Sequence, residues 1–264
     1  MSVHAGVVSY LFVPATRPDR ILKAVAGRAG QVIVDLEDAV SADAKAEARA
    51  GLSTVTPSRS LCVRINAATT PFFDDDIAAV SRLEWLSTVV LPKVESGTDV
   101  EHLRQRLPQV EIVALVESAR GIQAVDQIAA SGPIRLMFGP VDYTTSLGAE
   151  PSADVLAYPR ARLVVASAAA GIVTPIDGPS VFVDRPDELA AEARAAKAFG
   201  FGAKACIHPA QLDVVHEVFT ASLAEREWAR RVLDASATSP GAFQLDGQMV
   251  DEPVLQRARK ILRL

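Results

Sequence analysis

The sequence is short of cysteine, with only Cys62 and Cys206 in 264 residues. Both lie in apolar runs and read as reduced, buried thiols, which excludes a disulfide framework. Positive charge is also scarce. Against 27 Lys and Arg stand 32 Asp and Glu, a formal net charge of -5. No basic field is present for nucleic acid or an anionic membrane, so neither is expected as a partner. The longest weakly polar run, LVVASAAAGIVTPI at 163–176, is too short to cross a bilayer and is broken by Gly171 and Pro175. The opening MSVHAGVVSYLF has neither a basic leader nor a small-residue cleavage site. A cytoplasmic protein is the expectation.

What the sequence does have is alternation. Short β-branched apolar runs take turns with Ala-rich stretches whose apolar residues recur at helical spacing. Candidate strands are 7–15, 31–38, 60–67, 87–94, 111–118, 134–142, 173–181 and 203–209. Helical stretches such as PDRILKAVAGRAG and DELAAEARAAKAFG lie between them. Eight strands, each followed by a helix, is the count of a (β/α)8 TIM barrel, and near-continuously apolar strands suit a parallel sheet covered on both faces. The barrel is assigned to 1–222. The remainder, 223–264, reads as two helices (LAEREWARRVLDAS and DEPVLQRARKILRL) around a turn-rich excursion, and is expected to act as a lid or oligomer arm.

Active sites of such barrels gather at the C-terminal strand ends. There the sequence places Asp35, Glu37 and Asp38 on strand 2, Arg64 and Asn66 on strand 3, and Lys93 and Glu95 on strand 4. Glu117 ends strand 5, Asp142 ends strand 6 and His208 ends strand 8. Carboxylates converging on one mouth repel unless a cation neutralises them. A hard divalent ion is the economical solution, since Mg2+ takes one or two protein carboxylates and leaves other positions to water and substrate. Glu117 and Asp142 are the candidate ligands. The run Asp74-Asp75-Asp76 is expected only to start a helix, where the dipole favours acids.

Eight blocks, in order, make a wider pattern: LFVPATRPDRILKA (11–24), VIVDLEDAV (32–40), VRINA (63–67), LPKVES (91–96), LVESARGI (115–122), FGPVDYTTSLG (138–148), CIHPAQL (206–212) and DGQMVDEPVL (246–255). Together they resemble the citrate lyase beta subunit-like branch of the HpcH/HpaI aldolases, with the malyl-CoA and citramalyl-CoA lyases. Pro140-Val141 stands before Asp142 where citrate lyase beta relatives commonly have an acid, which brings the chain closer to the citramalyl type. The resemblance implies a Mg2+-dependent lyase, with Mn2+ as a substitute ion, that is usually a homotrimer. It would cleave a 3-hydroxyacyl-CoA such as citramalyl-, malyl- or citryl-CoA to acetyl-CoA and a 2-oxo acid (pyruvate, glyoxylate or oxaloacetate). By the same resemblance Glu117 and Asp142 ligate the metal, and Arg64 binds the 2-oxo acid carboxylate. Glu37 and Asp38 hold the metal's waters, with Lys93 paired to them. Arg17 lies beside the thioester, and Lys23 and His208 contact the CoA portion. Asp251 matches a lid aspartate that reaches a neighbouring subunit's site and exchanges the proton of the acyl carbon.

Two rival readings are distinguishable. Aldolases acting on free 4-hydroxy-2-oxo acids, the other branch, use a His near the end of strand 2. The four histidines here are His4, His102, His208 and His216, and Asp38 occupies that place. A CoA- or acid-binding barrel without turnover would be expected to have lost part of the set Arg64, Glu117, Asp142 and Asp251.

Overall fold

The computed structural model describes residue 4 and residues 6–239 and 241–263. It divides into two compact units, Met1–His216 and Glu217–Leu264. The division falls six residues before the sequence-based boundary at 223.

The first unit is a closed barrel whose eight parallel strands follow chain order: β1 (Ser9–Pro14), β2 (Gln31–Asp35), β3 (Leu61–Arg64), β4 (Leu86–Leu91), β5 (Glu111–Val116), β6 (Arg135–Phe138), β7 (Val173–Asp177) and β8 (Ala203–Cys206). β1 pairs with β8 to close it. Its helices are α1 (Pro18–Ala26), α2 (Lys45–Leu52), α3 (Phe73–Val80), α4 (Gly97–Arg106), α5 (Ala119–Gln123), α6 (Val125–Ala130), α7 (Pro140–Leu147), α8 (Ala153–Ala169) and α9 (Pro186–Phe199), and the division between the units falls within α10 (Leu212–Phe219). Local chemistry sets their ends. Proline stands in the first turn of α1, α7 and α9, where its missing N–H costs nothing. The Ser118 hydroxyl caps α5 by accepting from Gly121 N at 3.1 Å. Gly148 and Gly200 end α7 and α9 in the left-handed conformation.

Every strand contributes to the barrel interior: Tyr10, Ile33, Cys62, Val90, Val113, Leu115, Met137, Ile176, Ala203 and Ala205 form one buried cluster. Burying each larger aliphatic side chain of this kind stabilises the fold by about 1.5–3 kcal/mol. Both cysteines are free and buried, as the sequence suggested, and burial pushes each thiol up to about 12. Near the strand starts, His4 Nδ1 lies 2.6 Å from the Tyr10 hydroxyl and Nε2 2.7 Å from Thr88 Oγ1. Arg135 donates to the same Tyr10 hydroxyl at 3.0 Å. Asp177, at the end of β7, accepts from Lys204 Nζ at 2.7 Å and from Arg160 Nε at 3.1 Å, a buried triad that ties β7, β8 and α8 together.

The second unit holds α11 (Leu223–Ser236), a hairpin of β9 (Phe243–Leu245) and β10 (Gln248–Val250), and α12 (Glu252–Arg263). Ala229, Val232, Val250 and Ala258 form its core, with Trp228 packed against them. The hairpin replaces the expected turn-rich excursion. Its two-residue turn, Asp246-Gly247, has positive φ at both positions, the dipeptide signature of such turns. No described helix is long and apolar enough to cross a membrane.

Candidate active site

The strands end earlier than the sequence suggested, which moves several site residues off them. Glu117 follows β5 directly, and Lys93 lies two residues beyond β4. Glu37 and Asp38 stand in the loop after β2. The predicted strand 6 of 134–142 stops at Phe138, so Asp142 belongs to the first turn of α7. The reason is Gly139-Pro140: proline at the first helical position starts α7 there.

The mouth contains a cavity of about 420 Å3 that Asp35, Asp38, Arg64, Glu117 and Asp142 share with Phe12, Leu115, Met137, Val141, Pro179 and Ile207. A larger groove, about 570 Å3, lies between α2 and α3 near Trp85, at the opposite strand ends. It lacks the carboxylate cluster and does not draw on the strand-end residues.

Arg64 organises one side of the cavity. Parallel pairing sets it opposite Asp35. Its Nε and Nη2 donate to the two Asp35 oxygens at 2.8 and 2.6 Å, a bidentate pair. Its Nη1 lies 2.9 Å from Glu37 Oε2 and 3.4 Å from Asp38 Oδ2, and the guanidinium covers the Phe12 ring at 4.9 Å. Burial alone would lower the Arg64 pKa, but Asp35, Glu37 and Asp38 hold it above the ordinary value. The fork expected to grip a substrate carboxylate is thus already occupied by Asp35, leaving Nη1 toward the acids.

Glu117 is 5% exposed. One oxygen, Oε1, accepts the Lys93 backbone N–H at 2.8 Å. The other accepts no hydrogen bond among the described residues and rests against Gly139, where an added Cβ would stand 2.5 Å away. Burial first, then the negative charges of Glu37 and Asp142, push its pKa up to about 8. Glu37 is also raised, chiefly by burial, although the Lys93 ammonium donates to its Oε1. Lys93 Nζ also stands 3.6 Å from Asp38 Oδ1.

This arrangement fits a divalent cation. A buried carboxylate with an open oxygen, crowded by two other acids, lacks the positive charge that would keep it ionised. No group of three His, Cys, Asp or Glu side chains in metal-binding geometry occurs among the described residues, so a closed protein-only cage is not formed. The pair Glu117 and Asp142 matches instead the few-carboxylate pattern of Mg2+.

The remaining predicted residues are dispersed. Arg17, before α1, is engaged by Asp19 through Nε at 2.9 Å and Nη2 at 2.8 Å. Lys23 is exposed on α1 and forms no ion pair among the described residues. His208 leads the turn after β8, where its Nδ1 accepts the Ala210 N–H at 3.2 Å and Nε2 has no hydrogen bond among the described residues. Asp251 lies in the second unit at the start of α12 and accepts the Val254 N–H at 3.4 Å.

Three supporting features escaped the sequence reading. Which of the strand-end acids takes the Arg64 fork is not readable from composition, and Asp35 is that acid because opposite charges close adjacent parallel strands in register. Lys45, 7% exposed, donates to the carbonyls of Leu36 and Glu37 at 2.8 and 2.9 Å and so pins the loop that carries the acids. Asp76 does more than favour a helix start. Fully buried, its Oδ2 accepts from Asn66 N at 2.8 Å and Nδ2 at 2.6 Å, and its Oδ1 accepts from Arg49 at 3.1 Å.

Known proteins carry similar sequences. The chain is 39% identical over 273 residues to a citrate lyase subunit beta-like protein of Mycobacterium tuberculosis, covering 100% of this chain and 97% of the relative. It is 31% identical to an L-malyl-CoA/beta-methylmalyl-CoA lyase of Cereibacter sphaeroides, covering 96% and 92%. The crystal structure of CitE from Mycobacterium tuberculosis with magnesium, acetoacetate and coenzyme A superposes with a TM-score of 0.86 at 38% identity, covering 97% of each chain. Residues 8–209 match HpcH/HpaI aldolase/citrate lyase, and the chain belongs to that family.

Proposed function

We propose that this chain is a Mg2+-dependent carbon–carbon lyase. It cleaves a 3-hydroxyacyl-CoA thioester, with a carboxylate beside the hydroxyl-bearing carbon, into a 2-oxo acid and an acyl-CoA. The observation that carries the reading is Glu117: buried, one oxygen open, crowded by Glu37 and Asp142 in the cavity that Arg64 enters. The relatives support it, since their names include malyl-CoA lyase and their structures contain magnesium with acetoacetate, pyruvate or oxaloacetate.

Glu117 and Asp142 would hold the ion. Bound there, it would supply Lewis-acid stabilisation of the negative charge left on the substrate hydroxyl oxygen when its proton departs, before the C–C bond breaks. Arg64 turns Nη1 from Glu37 and Asp38 to the 2-oxo acid carboxylate, with Asp35 and Phe12 fixing the guanidinium. Glu37 and Asp38, balanced by Lys93, order water at the mouth and accept the hydroxyl proton through it. The electrons of the broken C–C bond pass to the acyl fragment as its enolate. Asp251, from the C-terminal unit of a neighbouring copy in a homotrimer, returns a proton to that carbon. In the condensing direction it removes the same proton. Lys23, Arg17 and His208 serve the CoA portion, where Arg17 must leave Asp19 to reach it.

The test is a lyase assay on citramalyl-, malyl- and citryl-CoA with Mg2+, following acetyl-CoA, with an EDTA control. EDTA-sensitive release from one thioester is the expected result and names the acyl group. Cleavage of a free 4-hydroxy-2-oxo acid instead would move the chain to the aldolase branch. Silence on every substrate would favour a binding barrel.

A further inference from the structure

Among the described residues, two other than glycine adopt the left-handed backbone region: Lys93, with φ 53°, and Asp246, with φ 50°. Asp246 shares a two-residue hairpin turn with Gly247, which demands that conformation. Lys93 has no such turn. Its side chain carries a Cβ and no short polar group to hydrogen-bond locally, so the conformation is unfavourable in isolation and has to be imposed by its surroundings.

The hydrogen bonds on either side show what the conformation does. Pro92 supplies no N–H. The Lys93 N–H leaves the ladder and donates to Glu117 Oε1 at 2.8 Å. The next N–H, of Val94, returns to Leu115 O at 3.1 Å. The same turn sends the Lys93 side chain to Glu37, whose Oε1 accepts from the ammonium. One residue thereby contacts a carboxylate after β5 through its backbone and a carboxylate after β2 through its side chain. Gly139 closes the other side of Glu117, so the carboxylate is held between a donor and a close backbone approach.

Resting on the metal-site reading above, we propose that Lys93 is a positioning residue with two separable parts. Its left-handed peptide fixes the Glu117 carboxylate for the divalent ion, and its ammonium balances Glu37. The first part depends on backbone conformation alone. Glycine supplies it without steric cost, whereas a β-branched residue opposes it.

The experiment compares Lys93→Gly, Lys93→Ala and Lys93→Val in the full chain. Mn2+ affinity is read by electron paramagnetic resonance, with thermal melting in parallel. Lys93→Gly should keep Mn2+ affinity within about threefold of the wild type, while Lys93→Val should lose roughly 10–100-fold, the range seen when a ligand's supporting partner is removed. Lys93→Ala should fall between, and it carries the comparison with Lys93→Gly if the valine variant does not fold. Turnover should drop in all three, because each lacks the ammonium. Equal loss of Mn2+ affinity in glycine and alanine variants would assign everything to the charge and overturn the proposal. Unchanged affinity in all of them would overturn it too, by showing that Glu117 needs no peptide support. A wild-type chain that binds no Mn2+ would instead refute the metal-site reading itself, and this proposal with it.

Discussion

Replacing Glu117 with Gln tests the electrostatic logic of the site before any substrate is known. In the unfolded chain Glu117 releases its proton near 4.5, whereas in the metal-free fold it holds that proton up to about 8. Between these values the folded state binds one more proton than the unfolded state, so stability falls as pH rises through the interval. At 1.36 kcal/mol per pH unit the effect is at most about 5 kcal/mol. For a chain of this size that corresponds to roughly 2–4 °C in melting temperature per kcal/mol. Without metal, the wild type should therefore lose melting temperature relative to Glu117→Gln between pH 5 and pH 8. A divalent ion offsets about half of that loss, since an ion at about 100 times its dissociation constant contributes about 2.7 kcal/mol. Binding near pH 7 should also release about one proton, visible by calorimetry in buffers of different ionisation enthalpy. Parallel pH profiles for wild type and variant, with no proton release on Mg2+ addition, would refute the claim that Glu117 waits for a counter-charge.

Four further outcomes are expected. Arg64→Lys keeps the charge but breaks the fork on Asp35, so urea unfolding should show a loss of one charge-assisted hydrogen bond, about 1.5–3 kcal/mol, and kcat/KM should fall about 100-fold. Gly139→Ala places a methyl group 2.5 Å from Glu117 Oε2 with no φ penalty, so Mg2+ affinity measured by calorimetry should drop about 10–100-fold. His4 is neutral in the fold down to about pH 4, because burial and then Arg135 disfavour its charge, while the unfolded chain takes the proton near 6.5. Stability should therefore decline as pH falls from 6.5 to 4, by at most about 3 kcal/mol, and chemical denaturation of His4→Gln should lack that slope. Asp251→Asn should abolish thioester cleavage while leaving Mg2+ affinity and melting temperature within error of the wild type.

Barrel and acid cluster were legible in the sequence for one reason. A strand buried on both faces must be apolar throughout, so the charged residue that ends each run marks a strand end, and parallel order brings those ends to one mouth. The same rule overran the true ends. Val141 and Val181 extend the apolar pattern past β6 and β7, yet Gly139-Pro140 and Gly178-Pro179 had already stopped the ladder. Gly178 leaves no room for a side chain there, since a Cβ would meet Pro140 at 2.1 Å. Periodicity registers hydrophobicity, whereas the strand end is set by which N–H groups remain to pair.

The site's wiring was less legible because it runs through backbone atoms and cross-strand register. Arg64 and Asp35 are 29 residues apart and meet only because β2 and β3 align them as direct partners. Lys45 acts on two carbonyls, which carry no residue identity. Lys93 acts through an N–H whose direction is a matter of φ. A lysine at a strand end reads as a counter-ion for nearby acids, and half of its contacts here are of that kind. The other half, the peptide aimed at Glu117, follows from Pro92 removing one ladder donor and Val94 resuming the ladder on Leu115. The residue between them has to turn out, and the carboxylate of Glu117 is what receives it. A chain in which Pro92 were replaced by a residue able to donate would have less reason to turn at Lys93, and Glu117 would lose its donor without any change in the charges of the site.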